Sequence, residues 1–155
     1  PTDKQVLGDL GEKLIAKTID CPGCKSNGKT LRTLPVNFKC ADLICDFCGY
    51  LAQVKTATVK SANVLPKQIL GAAWKPQHER MSAGIFFPLF IVLVEKGSTQ
   101  KSLWYLPRDL QTNSMFVPRN PLKETARRAG WQGYMIDLGS ALSMQQGFID
   151  LRRWI

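Results

Sequence analysis

The chain has 155 residues, a length that fits one domain with a buried core. Lysine and arginine outnumber aspartate and glutamate by 21 to 12, and the formal net charge of +9 favours polyanions over neutral or acidic partners. Nucleic acid leads those polyanions, and a basic protein without such a partner is the other interpretation of the charge.

The cysteine count and the apolar runs exclude two further classes. Five cysteines, an odd number, follow no apolar signal segment, which argues against a secreted disulfide framework. We therefore expect a reducing cytoplasm, in a bacterium the cytosol or nucleoid. The longest apolar run, 83–94, is too short for a membrane span and contains Pro88, so we expect no membrane role.

An amphipathic helix is predicted at the start of the chain. Thr2 or Asp3 can cap it, and apolar residues then recur at three- and four-residue steps. Glu12 shares the stripe of Gly8 and Ile15 and therefore needs a partner. A metal site and a nearby lysine are both compatible with this position.

Two CxxC motifs separated by twenty residues predict a zinc site. Two short turns that each present two thiolates can complete a tetrahedral zinc site, and this spacing is in the usual range. Four sulfur ligands leave no position open for water, so this zinc is expected to be structural. A redox CxxC motif explains two matched pairs less well. The ligands are Cys21, Cys24, Cys45 and Cys48.

The second CxxC lies in a predicted β-hairpin. Residues 39–44 and 50–57 have the β-branched and aromatic enrichment of strands, with 45–49 as the turn. Pairing about this turn puts Asp42 opposite Gln53 to within one residue, while Gln53 and Lys55 face the same side. The remaining Cys40 is expected to be a packed thiol, because no histidine is near in sequence.

Asp42, Gln53 and Lys55 have the layout of metal-dependent phosphodiester hydrolysis. An acidic group and a neighbouring acceptor hold hard cations such as Mg²⁺, which polarise the phosphate and lower the pKa of a bound water. The lysine orients that water and offsets charge in the transition state. Many hairpins contain an aspartate, a glutamine and a lysine at this spacing by chance. The overlap with the zinc motif strengthens the interpretation as a hydrolytic site.

The middle of the chain is predicted to contain a helix and two strands. A helix begins at Pro66, with Ile69, Leu70, Ala73 and Trp74 inward, and Pro76 breaks or re-starts it. The only histidine, His78, lies among Gln77, Glu79 and Arg80, so it is predicted on the surface and disfavours Ser/His/Asp or Cys/His catalysis. The strands are 86–94 and 102–106, and further strands are predicted at 134–138 and 148–155.

Two basic segments are candidates for DNA contact. Lys60 follows the hairpin in a stretch of small and hydroxyl-bearing residues. Such a stretch can contact phosphates or form a solvated turn equally well. Arg127, Arg128 and Trp131 end a short basic helix or turn stopped by Gly130. They can contact phosphates and bases, or Trp131 can anchor the core with the arginines solvated.

Two distant groups of motifs together resemble one known family. Cys21-Pro22-x-Cys24, Ala41-Asp42, Cys45-x-x-Cys48 and Lys55 resemble the catalytic domain of the DpnI-like restriction endonucleases and Dam-replacing proteins. Pro121-Leu122, the run from Ala126 to Trp131 and Ile136-Asp137-Leu138 are similar to the same family, in the same order. The two groups cover most of residues 5 to 140.

The resemblance implies an α/β fold of the PD-(D/E)xK type, a mixed sheet flanked by helices with an inserted four-cysteine zinc knuckle at about 21–48. Asp42 then matches the metal-binding aspartate, Gln53 falls where the family has an acid, and Lys55 matches the lysine. The segment around Arg127, Arg128 and Trp131 matches one that lies against DNA near the target base in the enzymes it resembles, which would make Trp131 a recognition residue. Because Gln53 is neutral, metal affinity falls unless another acid such as Glu12 compensates.

The function implied is a type II restriction-like endonuclease that hydrolyses phosphodiester bonds of sequence-specific double-stranded DNA with Mg²⁺. The alternatives are a zinc-containing DNA-binding protein that is weakly active or inactive, and a zinc-ribbon interaction module. We expect a single nuclease domain over 1–155 without a winged-helix domain. Affinity for the DNA target then comes from this domain alone or from a homodimer, in which two active sites cut both strands.

Overall fold

A six-stranded mixed sheet forms the centre of the molecule, with strand order β1-β2-β3-β5-β6-β9. The computed structural model describes residues 2–38, 41–139 and 149–150, the last two by backbone alone. The β3–β5 pair is parallel, and the other pairs are antiparallel. The strands are β1 (Leu31–Thr33), β2 (Leu43–Cys45), β3 (Leu51–Val59), β5 (Leu89–Glu95), β6 (Lys101–Leu106) and β9 (Ile149–Asp150).

A smaller antiparallel sheet and two α-helices complete the described part of the chain. The smaller sheet has the order β4-β8-β7. Two single 3₁₀ turns precede β7. The bounds are α1 (Asp3–Thr18), β4 (Gln68–Ala73), α2 (Trp74–Ser82), η1 (Arg108–Leu110), η2 (Asn113–Met115), β7 (Phe116–Pro118) and β8 (Gly133–Asp137).

The central sheet is buried on both faces, which divides the core into two clusters. Phe90 and Val92 of β5 pack in one cluster with Ile15 of α1. Ile91 and Leu93 point the other way, into the cluster that the smaller sheet and Met81 of α2 also contribute to. A near-continuous apolar β5 is the expected consequence of this two-sided burial.

Helix α1 confirms the predicted first helix. The Thr2 hydroxyl accepts from the backbone N–H of Gln5 at 3.2 Å, and the Gln5 side chain accepts from the Thr2 N–H at 2.8 Å, forming a capping box. Gly11 faces β3, where any added Cβ would clash with the side chain of Thr56. A glycine is therefore required for α1 to approach the sheet as closely as it does.

The helix predicted from Pro66 to Pro76 is wrong. Residues 68–73 form strand β4, which pairs with β8, and Gly71 lies against the ring of Tyr134 where a Cβ would clash. Helix α2 begins only at Trp74 and accommodates Pro76 in its first turn, where a missing N–H costs no hydrogen bond. Tertiary pairing with a strand that is distant in sequence thus overrides the local helical preference of this segment.

The remaining element predictions are confirmed with shifted bounds or lie partly outside the described residues. The strands predicted at 86–94, 102–106 and 134–138 correspond to β5, β6 and β8, and 122–131 forms turns. Lys39 and Cys40 lie outside the described residues, and of the predicted strand 148–155 only 149–150 is described. No helix in the described residues is both long and apolar enough to cross a membrane.

Candidate metal centres and active-site cleft

The four predicted zinc ligands converge at one end of the central sheet. The sulfur atoms of Cys21, Cys24, Cys45 and Cys48 all lie within 4.8 Å of one another. The Cys21–Cys48 and Cys24–Cys45 sulfur distances are 3.7 and 3.9 Å. A tetrahedron with metal–sulfur bonds of about 2.3 Å requires sulfurs about 3.8 Å apart, so this quartet can hold a metal ion such as zinc.

Neighbouring groups favour the ionised form of Cys45, whereas burial raises the pKa of Cys21 to about 12. The backbone N–H of Gly23 donates to the sulfur of Cys21 at 3.3 Å, and that of Cys48 donates to the sulfur of Cys45 at 3.4 Å. Burial raises the pKa of Cys45, but hydrogen bonding with Thr30 and with backbone N–H groups outweighs it and lowers the pKa to about 6. Thiolate is the form that binds metal, so the chemistry of the cluster fits a metal ion.

The hairpin register agrees with the sequence prediction. Leu43 pairs with Ala52 and Ile44 with Leu51, so Asp42 comes opposite Gln53. The Asp42 N–H donates to the Ala52 carbonyl at 3.0 Å, which extends the ladder by one step beyond β2. The pairing therefore brings Asp42 beside the alternate residues of β3 that include Gln53.

The carboxylate of Asp42 is held by the backbone of β3. Its Oδ2 accepts a hydrogen bond of 2.7 Å from the N–H of Val54, the residue between Gln53 and Lys55. The Val54 side chain points into the α1 cluster, so Gln53 and Lys55 point to the opposite face. This arrangement gathers a carboxylate, an amide and an amine around one point of the sheet.

Glu12 of α1 reaches the same point from the other side. The pKa of Glu12 is raised to about 7, first by burial and then by the charge of Asp42 and a hydrogen bond with its carboxyl group. The charge of Lys55 opposes this shift. Of the two partners considered from sequence, a metal site or a nearby lysine, the structure places Glu12 directly against the second carboxyl group of this cluster.

Lys55 is the cation of the cluster. Burial lowers the pKa of Lys55 below its ordinary value, while the negative charges of Asp42 and Glu12 favour its protonated form. A lysine in such surroundings loses its proton more readily than a solvated one. Asp42, Glu12 and Lys55 thus form one electrostatic unit.

Two adjoining clefts meet at Asp42. The larger, of about 680 Å³, lies between α1 and residues 33–38 and includes Glu12. The smaller, of about 430 Å³, lies between β3 and α2 and includes Gln53 and Lys55. Phe38, Ala41 and Asp42 line both clefts, so the predicted catalytic residues sit where a groove passes from one to the other.

The predicted DNA-contact residues lie outside these clefts. Lys60 is exposed just beyond the end of β3. Arg127 and Arg128 are exposed in the turn between β7 and β8, and the Arg128 guanidinium carbon lies 4.6 Å from the centroid of the half-buried Trp131 ring. This turn leads directly into Gly133, which pairs with a residue of the cleft wall, Ala73.

Three residues that line the smaller cleft were missed as site residues. Gln77 and Arg80 of α2 were noted only as sequence neighbours of His78, and Tyr134 only as part of a strand. His78 itself is exposed, as predicted, and stacks on the ring of Trp74. The helix start was misplaced, so residues 77 and 80 were not recognised as sharing one face of α2. The Tyr134 hydroxyl donates to the Gln77 side-chain oxygen at 3.3 Å, which ties the two walls together.

The donors at the junction of the clefts are chemically suited to a hard cation. Carboxylate and amide oxygens, here those of Asp42, Glu12 and Gln53, are the ligands that Mg²⁺ and Ca²⁺ prefer. The carboxyl group of Glu12 and the buried amine of Lys55 also supply groups that can accept and donate protons. The arrangement therefore fits hydrolysis at a polyanion better than nucleophilic catalysis by serine or cysteine.

Comparison with known proteins agrees with the motifs and the geometry. The family model described as DpnI, the Dam-replacing family, matches residues 2–151. The match spans nearly the whole chain, including the cysteine quartet, the hairpin and the basic turn. It therefore confirms the resemblance that the sequence motifs indicated. The chain belongs to the Dam-replacing (DpnI) family, restriction-related proteins that act on DNA.

Proposed function

We propose that this protein is a Mg²⁺-dependent endonuclease that cuts sequence-specific double-stranded DNA, built on a PD-(D/E)xK fold with a structural zinc. The observation that carries the proposal is the convergence of Asp42, Gln53, Lys55 and Glu12 at the junction of two open clefts. Family membership makes DNA the polyanion, and the charge of +9 suits it.

In this proposal oxygens of Asp42 and Gln53 hold Mg²⁺, whose chemistry when bound is to polarise a phosphate oxygen and to acidify a water. The N–H of Val54 keeps the Asp42 carboxylate oriented. Lys55 orients the attacking water and offsets negative charge on the phosphate. Glu12, which is ionised above a pH of about 7, supplies the carboxylate charge that a neutral Gln53 lacks.

The cysteine quartet has a separate, structural role in the proposal. Cys45 and Cys48 lie at the hairpin turn, and Cys21 and Cys24 lie just after α1, the helix that carries Glu12. A zinc ion bound by all four thus links the two elements that bear the carboxyl groups. Lys60, Arg127, Arg128 and Trp131 would contact DNA at a distance from the cleft, with Trp131 near the target base.

A second candidate is a zinc-containing DNA-binding protein that cuts weakly or not at all. Gln53 favours it, because a neutral amide in place of an acid weakens a divalent cation site. Both candidates bind DNA, so metal-dependent cleavage separates them.

The test uses zinc-loaded protein and plasmid or genomic DNA with and without adenine methylation. Mg²⁺ is added or omitted, and no chelator is used because chelation would also remove zinc. We expect cleavage only when Mg²⁺ is added, and at least about a hundredfold loss of rate in Lys55→Ala and Asp42→Asn. Absence of metal-dependent cleavage on every substrate, with DNA binding retained, would establish the second candidate.

A further inference from the structure

The wall of the smaller cleft that faces β3 carries a positive charge to which the proposed mechanism gives no role. Gln53 and Lys55 form one side of the cleft, and Gln77 and Arg80 of α2 form the other. Among the described residues that line this cleft, Lys55 and Arg80 are the two cations. Lys55 is on β3 and Arg80 is on α2, and Asp42 lines the same cleft.

The periodicity of helix α2 places Arg80 on the helix face that lines the smaller cleft. Gln77 and Arg80 are three residues apart and share one helix face, and Arg80 is half-buried, whereas Lys75 is exposed. The Arg80 Nη1 donates to the carbonyl of Pro76 at 3.2 Å, which restrains one arm of the guanidinium along the helix. The side chain is thereby directed by its own helix turn toward the cleft.

Tyr134 lines the same cleft, and the charges of Arg80 and Asp42 both act on it. The pKa of Tyr134 is raised to about 12 chiefly by burial, while a backbone hydrogen bond and the charge of Arg80 oppose the rise and the charge of Asp42 adds to it. The charges of Arg80 and Asp42, which line the same cleft, therefore both affect the pKa of Tyr134. Its hydrogen bond to Gln77 holds the helix face in place against β8.

A phosphodiester that enters this cleft needs such a cation. The phosphate is an anion and approaches the carboxyl groups of Asp42 and Glu12, which repel it. Lys55 stands on the carboxylate side and is paired with them electrostatically. A guanidinium stays protonated at any physiological pH, and its planar fork matches two phosphate oxygens.

We propose that Arg80 is a catalytic residue of this site and binds the scissile phosphate from the side opposite Lys55. This inference rests on the proposed function. During hydrolysis a water oxygen bonds to phosphorus and the bond to one sugar oxygen breaks, while the water loses one proton and the sugar oxygen gains one. Arg80 offsets the negative charge that builds on the non-bridging oxygens in that step, and Gln77 with Tyr134 positions the helix that carries it.

The experiment compares Arg80→Met, which keeps the aliphatic stem, Arg80→Lys, which keeps the charge, and Lys75→Met, an exposed control on the same helix. Single-turnover cleavage is measured with saturating zinc-loaded protein and Mg²⁺, and DNA binding is measured against salt with Ca²⁺ in place of Mg²⁺. We expect Arg80→Met to cut about 10²–10³-fold more slowly. Its salt slope should fall by about 0.9, the value of one phosphate contact.

Arg80→Lys should keep the salt slope and still lose at least about tenfold in rate, because one ammonium cannot bind two oxygens. Lys75→Met should match the wild type in both measurements. If Arg80→Met cuts at the wild-type rate while Lys55→Ala is inactive, the inference is wrong and the nuclease proposal stands. If the wild type does not cut, the nuclease proposal fails, and an unchanged salt slope in Arg80→Met would overturn phosphate binding as well. Should Arg80→Met fail to fold, Arg80→Lys decides by its rate.

Discussion

The carboxylate of Asp42 and the backbone N–H of Val54 are joined by a hydrogen bond of 2.7 Å. The bond spans from the residue before β2 to the middle of β3, so the sheet itself orients the carboxylate. An asparagine oxygen can accept the same bond, whereas an alanine leaves the Val54 N–H without this acceptor. We expect Asp42→Asn to unfold in urea like the wild type and Asp42→Ala to lose about 1–2 kcal/mol. Equal stability of the two variants would contradict a structural part for this bond.

The raised pKa of Glu12 makes stability depend on pH. Its ordinary value of 4.5 rises to about 7 in the fold, so between these values the native state holds a proton that the unfolded chain has lost. Stability from this group is therefore present at low pH and is lost as the pH rises through about 7.

Replacing Glu12 by glutamine should thus help most at high pH. We expect Glu12→Gln to gain about 1 kcal/mol over the wild type at about pH 8, an amount reduced for solvent screening, and less at about pH 5.5. Urea unfolding of zinc-loaded protein without Mg²⁺ measures it, with Glu124→Gln in the exposed turn as the control. A gain that is the same at both pH values would refute the assignment.

Because Gln53 is neutral, we expect replacing it with an acidic residue to raise the affinity of the site for Mg²⁺. Gln53→Glu adds a carboxylate beside Asp42, and after repulsion between the acids we expect a net gain of about 1–2 kcal/mol in binding the cation. The Mg²⁺ concentration for half-maximal cleavage should fall about tenfold. Gln53→Asn, neutral and shorter, is the control, and a higher Mg²⁺ requirement in Gln53→Glu would contradict the expectation.

The contact of Gly11 with Thr56 predicts opposite effects for two glycines of the same helix. An added Cβ at Gly11 clashes with the Thr56 side chain, whereas Gly8 has no atom within 4 Å of such a Cβ. We expect Gly11→Ala to destabilise by about 1–3 kcal/mol through displacement of α1, and Gly8→Ala to stabilise by about 0.5–1 kcal/mol.

The clash itself can be tested by removing its second partner. The Thr56 hydroxyl is buried without a hydrogen-bond partner in the described structure, so Thr56→Ala costs little. Adding it to Gly11→Ala should recover most of the lost stability in thermal unfolding. No recovery would place the damage elsewhere in α1.

If the quartet holds zinc as proposed, replacing one of its cysteines should release the metal. Cys45 is buried in the quartet, so we expect Cys45→Ser to lose the equimolar zinc and several kcal/mol of stability, on the order expected for a structural zinc site. Phe47 lies in the same turn but is 71% exposed, so Phe47→Ala should keep both the zinc and the stability. Zinc content and urea unfolding measure the outcome, and full stability of a zinc-free Cys45→Ser would exclude a structural role.

Much of the site follows from short-range patterns. The cysteine spacing and the turn at 45–49 are local, and a tight hairpin determines which residues oppose each other, so Asp42 opposite Gln53 follows from counting outward from the turn. The capped first helix follows equally from Thr2 and the apolar periodicity.

The sequence by itself therefore determined the cysteine quartet, the hairpin with its polar residues, and the resemblance to the family. Only the tertiary structure decided that Glu12 meets Asp42, that residues 68–73 form a strand and not a helix, and that Arg80 lines the same cleft as Lys55. The physical reason is the separation along the chain between the residues that interact. Pairing of β4 with β8 and packing of α1 on Thr56 depend on residues far apart in the chain, and that packing overrides local preference wherever the two conflict.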